Sequence, residues 1–210
     1  MGLKFLSKLT VFLYSMLVFL TLSMCSCGAV ANNKVNDTVA IIFDSATIIE
    51  AEKNMIKDSL IAEVTYYINK QANGAHPKLP IIIVEKCLHH DLDICFAMAQ
   101  TELETNYGTI GAGRETSKRS LFGVGVYKGS KHKGYPNYEI AVEEYILLLK
   151  KLYLSSTRTE QTLLKKYTTK SGARYAGSMS YEVDLRRIYN RIRTNTNIYN
   201  TQLRYDEKIS

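Results

Sequence analysis

The 210-residue chain contains no tryptophan, four cysteines, four histidines and three prolines. Without a convergent set of histidines and cysteines a closed metal site has no ligands, so His89-His90-Asp91-Leu92-Asp93 reads as the end of one helix and the cap of the next. No internal repeat is visible, which removes solenoid and propeller architectures. Basic and aromatic residues do not interleave in the manner of a nucleic-acid surface, so no nucleic-acid partner is expected. The balance of 46% hydrophobic and 22% charged residues is that of an ordinary globular chain and excludes a disordered one.

What is present begins with a targeting segment. Lys4 and Lys8 precede an apolar run, Val11 to Leu22, which exits through Ser23-Met24-Cys25-Ser26-Cys27-Gly28. This is the pattern of a signal peptide over residues 1–27. Leu22-Ser23-Met24-Cys25 resembles a bacterial lipobox, which makes Cys25 (or Cys27) the expected lipidation site. The protein is then exported and held on a membrane by acyl chains that do not span it. Without residues 1–27 the chain loses two lysines and no acid, and its formal charge falls from +7 to +5. A basic exported protein favours an anionic polymer, here cell wall rather than nucleic acid. Two cysteines remain, Cys87 and Cys95. Both read as buried thiols, with pairing across a helix-turn-helix corner in an oxidising compartment as the alternative, and neither has a positioned base that would make it a nucleophile.

Residues 28–79 are expected to form an N-terminal helix and a linker. Ser45 can cap a helix reaching about Gln71, with Ile49, Met55, Ile56, Leu60, Val64 and Tyr67 on one stripe. Ala72 to Pro80 is a turn. Residues 80–195 follow as the main domain, and 196–210 as a polar, flexible tail. Pro80 opens a short helix to Leu88, and Asn137, Thr159 and the stretch from Tyr181 to Ile192 mark three more. Leu121, Val124, Val126 and Tyr127 predict a strand, paired in a hairpin that turns at Lys128–Gly134 and closes near Tyr135.

The segment that carries chemistry is Asp93 to Tyr127. Ile94, Phe96, Ala97, Met98, Ala99 and Leu103 fall on all sides of a helical wheel, as in a helix buried within a domain. Its end bears Glu102 and Glu104, which two residues of helical rotation point about 200° apart, so one cleft receives only one of them. Gly108 can then end the helix in a left-handed turn, placing Glu104 on the rim of the loop that follows.

Ala99-Gln100 with Leu103-Glu104-Thr105-Asn106-Tyr107-Gly108, then Ser120-Leu121-Phe122-Gly123-Val124, resemble the AQxxLESGWG and NLFGIK motifs of bacterial endo-β-N-acetylglucosaminidases, glycoside hydrolase family 73. Arg174-Tyr175-Ala176 with Tyr181 is similar to the YATDPxY segment of that family, although Gly177-Ser178 stand for Thr-Asp. The three motifs occur in the family order and the resemblance covers about residues 80–192. It implies an α+β, mostly helical, lysozyme-like domain with a small β-hairpin lobe, preceded here by one extra N-terminal helix. It further implies cleavage of the β-1,4 bond between N-acetylglucosamine and N-acetylmuramic acid in peptidoglycan glycan strands, with Glu104 as general acid and Tyr175 beside it.

Glycosidic cleavage asks for an acid still protonated near neutral pH, and for a second group that stabilises the transition state or positions water. Glu115 is the nearest acidic candidate for that second role, and no cofactor or metal is expected. Twelve of the 15 tyrosines lie from Tyr107 onward, and a sugar's apolar face stacks on such rings. Tyr145, Tyr153, Tyr167 and Tyr189 are assigned to the core, and Tyr107, Phe122, Tyr127, Tyr135 and Tyr181 to substrate contacts. A lytic transglycosylase or muramidase of the same fold, and a peptidoglycan-binding lipoprotein without turnover, remain alternatives.

Overall fold

Asp93 and Asn137 start the two helices that frame the interior, and both do so by capping. In the computed structural model the Asp93 carboxylate accepts from the Phe96 amide at 3.2 Å and the Asn137 carbonyl accepts from the Ile140 amide at 2.8 Å. The structure describes residues 34–115, 117–124 and 133–208, with side chains from residue 46 onward. The signal peptide, the lipidation candidates Cys25 and Cys27, Tyr127, and most of the expected hairpin lie outside the described residues. The chain divides into two units, residues 1–46 and 47–210. Of the first, only the helical backbone from residue 34 is described.

The described residues are mostly helical: α1 (Lys34–Gln71), α2 (Leu79–His89), α3 (Ile94–Thr105), α4 (Gly111–Arg114), α5 (Tyr138–Leu152), α6 (Glu160–Leu163), α7 (Tyr181–Asn195) and α8 (Ile198–Glu207). Helix α1 begins upstream of Ser45, so the expected cap there is instead a position within the helix. Strand structure among the described residues is confined to the isolated bridges Ser155–Arg158 and Thr168–Arg174. The Leu121–Val124 segment, expected to begin a strand, is a turn. No described helix is long and apolar enough to cross a membrane.

Helix α3 is the axis of the second unit. Its residues from Ile94 to Thr101 are all buried, with α7 its most extensive neighbour and α2 and α8 also against it. Burial on every side explains why its sequence carries no amphipathic stripe. From α1, Ile56, Leu60, Val64, Tyr67 and Ile68 join the same core, while Ile49 and Met55 of the expected stripe are exposed. Cys87 and Cys95 are both buried free thiols, and burial pushes both thiols up.

The expected flexible tail is instead helix α8, with Ile198, Thr201 and Gln202 buried. Its anchor is polar. The Gln202 side chain accepts from the Ile94 amide at 2.9 Å and donates to the Leu92 carbonyl at 3.0 Å, filling backbone positions that the first turn of α3 leaves open. Arg193 of α7 lies 3.5 Å over the Tyr199 ring and holds the two helices together.

Beside this junction Asp91, Asp93, Glu160 and Asp206 line one cavity. Burial raises the carboxyls of Asp93, Glu160 and Asp206. Neighbouring acids push Glu160 and Asp206 the same way, while Tyr189, the Phe96 and Cys95 amides and Arg193 partly oppose the rise at Asp93. A carboxyl raised on folding contributes stability that is full below its unfolded pKa, about 4, and is lost as pH climbs through the folded value. The thermal midpoint is therefore expected to fall as pH rises from about 4 to 7, and Asp206→Asn to reduce that fall. Unfolding followed by circular dichroism at the two pH values checks both, and a midpoint that rises over this interval contradicts them.

Candidate active site

Helix α3 ends at Thr105, and Asn106 caps it in the left-handed region at φ 45°, followed by Tyr107 at 57° and Gly108 at 79°. The stop thus comes two residues before the glycine expected to provide it. Thr105 ties the turn down: its hydroxyl donates to the Leu121 carbonyl at 2.9 Å and accepts from the Gly108 amide at 3.1 Å. This brings the Ser120–Val124 segment across the end of the helix. Phe122 then stacks on Tyr145 of α5, with centroids 3.6 Å apart and planes 1° from parallel.

Glu104 emerges from this arrangement into a cavity of about 390 Å³, which it lines together with Gly123, Val124, Leu148, Tyr153, Tyr175 and Ala176. Its volume is in the range of small-ligand sites. One carboxyl oxygen, Oε1, accepts from the Tyr181 hydroxyl at 2.6 Å. The other, Oε2, faces Gly123, where a Cβ would stand 2.9 Å away, closer than side chains tolerate. Gly123 also has φ +65°, so the position favours glycine on both counts. Among the described residues no donor reaches Oε2. Burial raises the Glu104 carboxyl above the usual range, and the Tyr181 hydrogen bond opposes that rise.

Glu102 takes the opposite direction. Its carboxylate pairs with Arg191 of α7 and accepts from the hydroxyls of Tyr67 at 3.3 Å and Tyr107 at 3.2 Å. Arg191 Nε in turn donates to the Tyr67 oxygen at 3.2 Å. The 200° divergence of the two glutamates sorts them into one carboxyl at a cavity and one in a structural network.

The other candidate residues divide. Tyr175 reaches the cavity, and its hydroxyl donates to the Phe122 carbonyl at 2.5 Å. Tyr181 reaches Glu104 itself and is almost entirely buried, so its hydroxyl serves the carboxyl and its ring packs on Tyr167 and Tyr175. Glu115 is not at the cavity. Its carboxylate is half exposed and paired with Lys118 three residues on, so the expected second acid stands as a solvated loop charge.

Tyr107, Phe122 and Tyr135 were expected to contact substrate, and their burial contradicts this. Tyr107 has no exposed surface and spends its hydroxyl on Glu102. Phe122 is 2% exposed and stacked on Tyr145, and Tyr135 packs on Ala141 with its hydroxyl on the Val124 carbonyl at 3.1 Å. Sequence reasoning missed Leu148 and Tyr153, which line the cavity from the last turn of α5 and its end. Tyr153 had been assigned wholly to the core. Leu148 stands on a helical stripe that reads as core, and nothing in the sequence separates it from Leu149.

Comparison of the chain with protein-family models and with curated proteins returns no match to either. The functional reading therefore rests on the motifs and on this geometry. Among the described residues no group of three His, Cys, Asp or Glu is placed to hold a metal ion.

Proposed function

We propose that the protein cleaves peptidoglycan glycan strands at the β-1,4 bond between N-acetylglucosamine and N-acetylmuramic acid, with Glu104 as the general acid. The observation that carries the reading is a carboxyl raised by burial, fixed through one oxygen by Tyr181 and open through the other to a cavity. A raised carboxyl keeps its proton closer to neutral pH, and Oε2 is free to pass that proton to the leaving glycosidic oxygen. Tyr181 then stabilises the carboxylate left behind. The aromatic wall of Tyr153 and Tyr175 supplies faces for a sugar ring.

In this reading the helical unit is the lysozyme-like domain of the glucosaminidases, with α3 delivering the acid. The chain is exported on a signal peptide and anchored to a membrane through Cys25 or Cys27, within reach of the wall. A peptidoglycan-binding lipoprotein without turnover remains the reading to be eliminated.

One observation favours a second product. Glu104 is the only carboxylate among the residues lining the cavity, and the sequence holds no Asp or Glu between Glu115 and Glu139. Hydrolysis by paired carboxylates lacks its second member here. A lytic transglycosylase, in which the substrate's own hydroxyl attacks and an anhydro end forms, needs only the one acid. Mass analysis of fragments released from purified wall separates the two. Hydrolysis is expected to give reducing ends at N-acetylglucosamine, whereas fragments lighter by one water assign transglycosylation, and binding without release assigns the module lacking turnover.

A further inference from the structure

Glu104 is held by the tyrosines of one short connection, and that connection is closed by an ion pair. Arg174 donates through Nη2 to both carboxylate oxygens of Glu182, at 3.1 and 2.9 Å, and to the Ser178 carbonyl at 3.0 Å. The same Glu182 Oε1 accepts from the Tyr167 amide at 3.2 Å, and the Tyr167 carbonyl accepts from the Tyr175 amide at 2.9 Å. Arg174, Tyr175, Tyr167 and Glu182 therefore form a closed ring of backbone and side-chain bonds. Glu182 directly follows Tyr181 in the first turn of α7, where the helix dipole favours an anion.

On the basis of the function proposed above, we propose that Arg174 and Glu182 are positioning residues for Glu104, a clamp that sets the Tyr181 hydroxyl on one carboxyl oxygen and the Tyr175 ring beside the cavity. Tyr175 follows Arg174 and Tyr181 precedes Glu182, so each end of the ion pair is one residue from a ring of the site. Both rings pack on Tyr167, which the clamp fixes through its amide: Tyr175 is stacked on it at 4.4 Å and 13° from parallel, and Tyr181 is tilted against it at 5.9 Å and 53°. Glu182 is only 13% exposed. A sheltered carboxylate receiving a guanidinium and a backbone amide is more tightly defined than an open surface pair. Lysine at position 174 would keep the charge and one donor nitrogen, but lose the second, Nη1, which reaches the Met179 sulfur at 2.8 Å.

The titration of Glu104 reports directly on this arrangement. Among the described residues the groups facing it are the Tyr181 hydroxyl on α7, the Tyr175 ring and Ala176 on the connection, and Gly123, Val124, Leu148 and Tyr153, none of which is a cation or a second carboxylate. Burial and the Tyr181 bond set its midpoint, so a change is assigned to the bond by comparison with Tyr181→Phe.

The test uses the full chain carrying ¹³C-carboxyl-labelled glutamate, with the Glu104 signal identified by its loss in Glu104→Gln. Arg174→Ala is expected to raise the Glu104 midpoint by about 0.5 to 1 pH unit, the scale of one lost hydrogen bond to a charged group. Arg174→Lys is expected to give a smaller rise. Tyr181→Phe should raise the midpoint by a similar amount, and the double variant Arg174→Ala/Tyr181→Phe should add little to it, because the clamp acts through that hydroxyl. On wall substrate, kcat is expected to fall about tenfold with KM little changed. A Glu104 titration unmoved by Arg174→Ala, or a double variant that sums the two single rises, overturns the clamp. Should Arg174→Ala not fold, Glu182→Gln is read by the same criteria. If the wild type releases no glycan the proposed function fails, and the carboxyl titration still decides the clamp.

Discussion

Replacing Glu104 by Gln is expected to lower glycan release from purified wall by about three orders of magnitude, within the range that a positioned general acid contributes. The amide keeps the carbonyl that accepts from Tyr181 and fills the same volume beside Gly123, so the cavity survives without a transferable proton. The variant should also be as stable as the wild type at pH 7 or slightly more so. Burial disfavours the ionised Glu104 side chain, and the neutral amide does not carry that penalty. Release assays and thermal unfolding on the same preparations make the two expectations independent. Full release by Glu104→Gln removes the proton donor from the proposal, whereas lost release with a collapsed midpoint shows only a folding defect.

The reverse pattern is expected of Glu102→Ala. Removing that carboxylate leaves the Arg191 guanidinium without its counter-ion and strips the acceptor from the hydroxyls of Tyr67 and Tyr107. Glu102 is 12% exposed and Tyr107 fully buried, whereas Arg191 is 36% exposed and regains water when its partner goes. Breaking such a half-sheltered pair costs about 1 to 2 kcal/mol. The loss falls where α1, α3 and α7 meet, and a chemical denaturation midpoint reads it. Activity per folded molecule should stay near the wild-type level, because the side chain points away from the cavity. A variant that is stable yet inactive exchanges the roles of the two glutamates.

The divergence of these two side chains was legible in the sequence, because helical geometry alone sends positions 102 and 104 apart and the all-round apolar pattern marks α3 as interior. The caps at Asp93 and Asn137 were legible for the same local reason. Tyr107 and Phe122 were misread because their surroundings are set by distant chain. Tyr107 is covered by Tyr67, 40 positions upstream on α1, at a ring distance of 6.4 Å, and Phe122 by Tyr145 on α5. Proximity to a loop says where the backbone goes, not which way a ring turns. Helix α8 was hidden by its polar composition: Ile198 reaches the core, but much of the attachment runs through Gln202 and through Arg193 on the Tyr199 ring. The Arg174–Glu182 pair spans eight residues across a turn, a spacing that no helical or strand period singles out.

The hydrogen bond from the Ile94 amide to the Gln202 side-chain oxygen joins positions 108 apart in the chain. The helix that carries Glu104 therefore has its first turn completed by a side chain synthesised long after the helix itself. Contacts of such separation are closed late, since loop entropy must be overcome before they contribute. A nascent chain released before position 202 would hold the acid-bearing helix with its opening turn unsealed, which places the end of α8 among the last events in assembling the pocket rather than at its periphery.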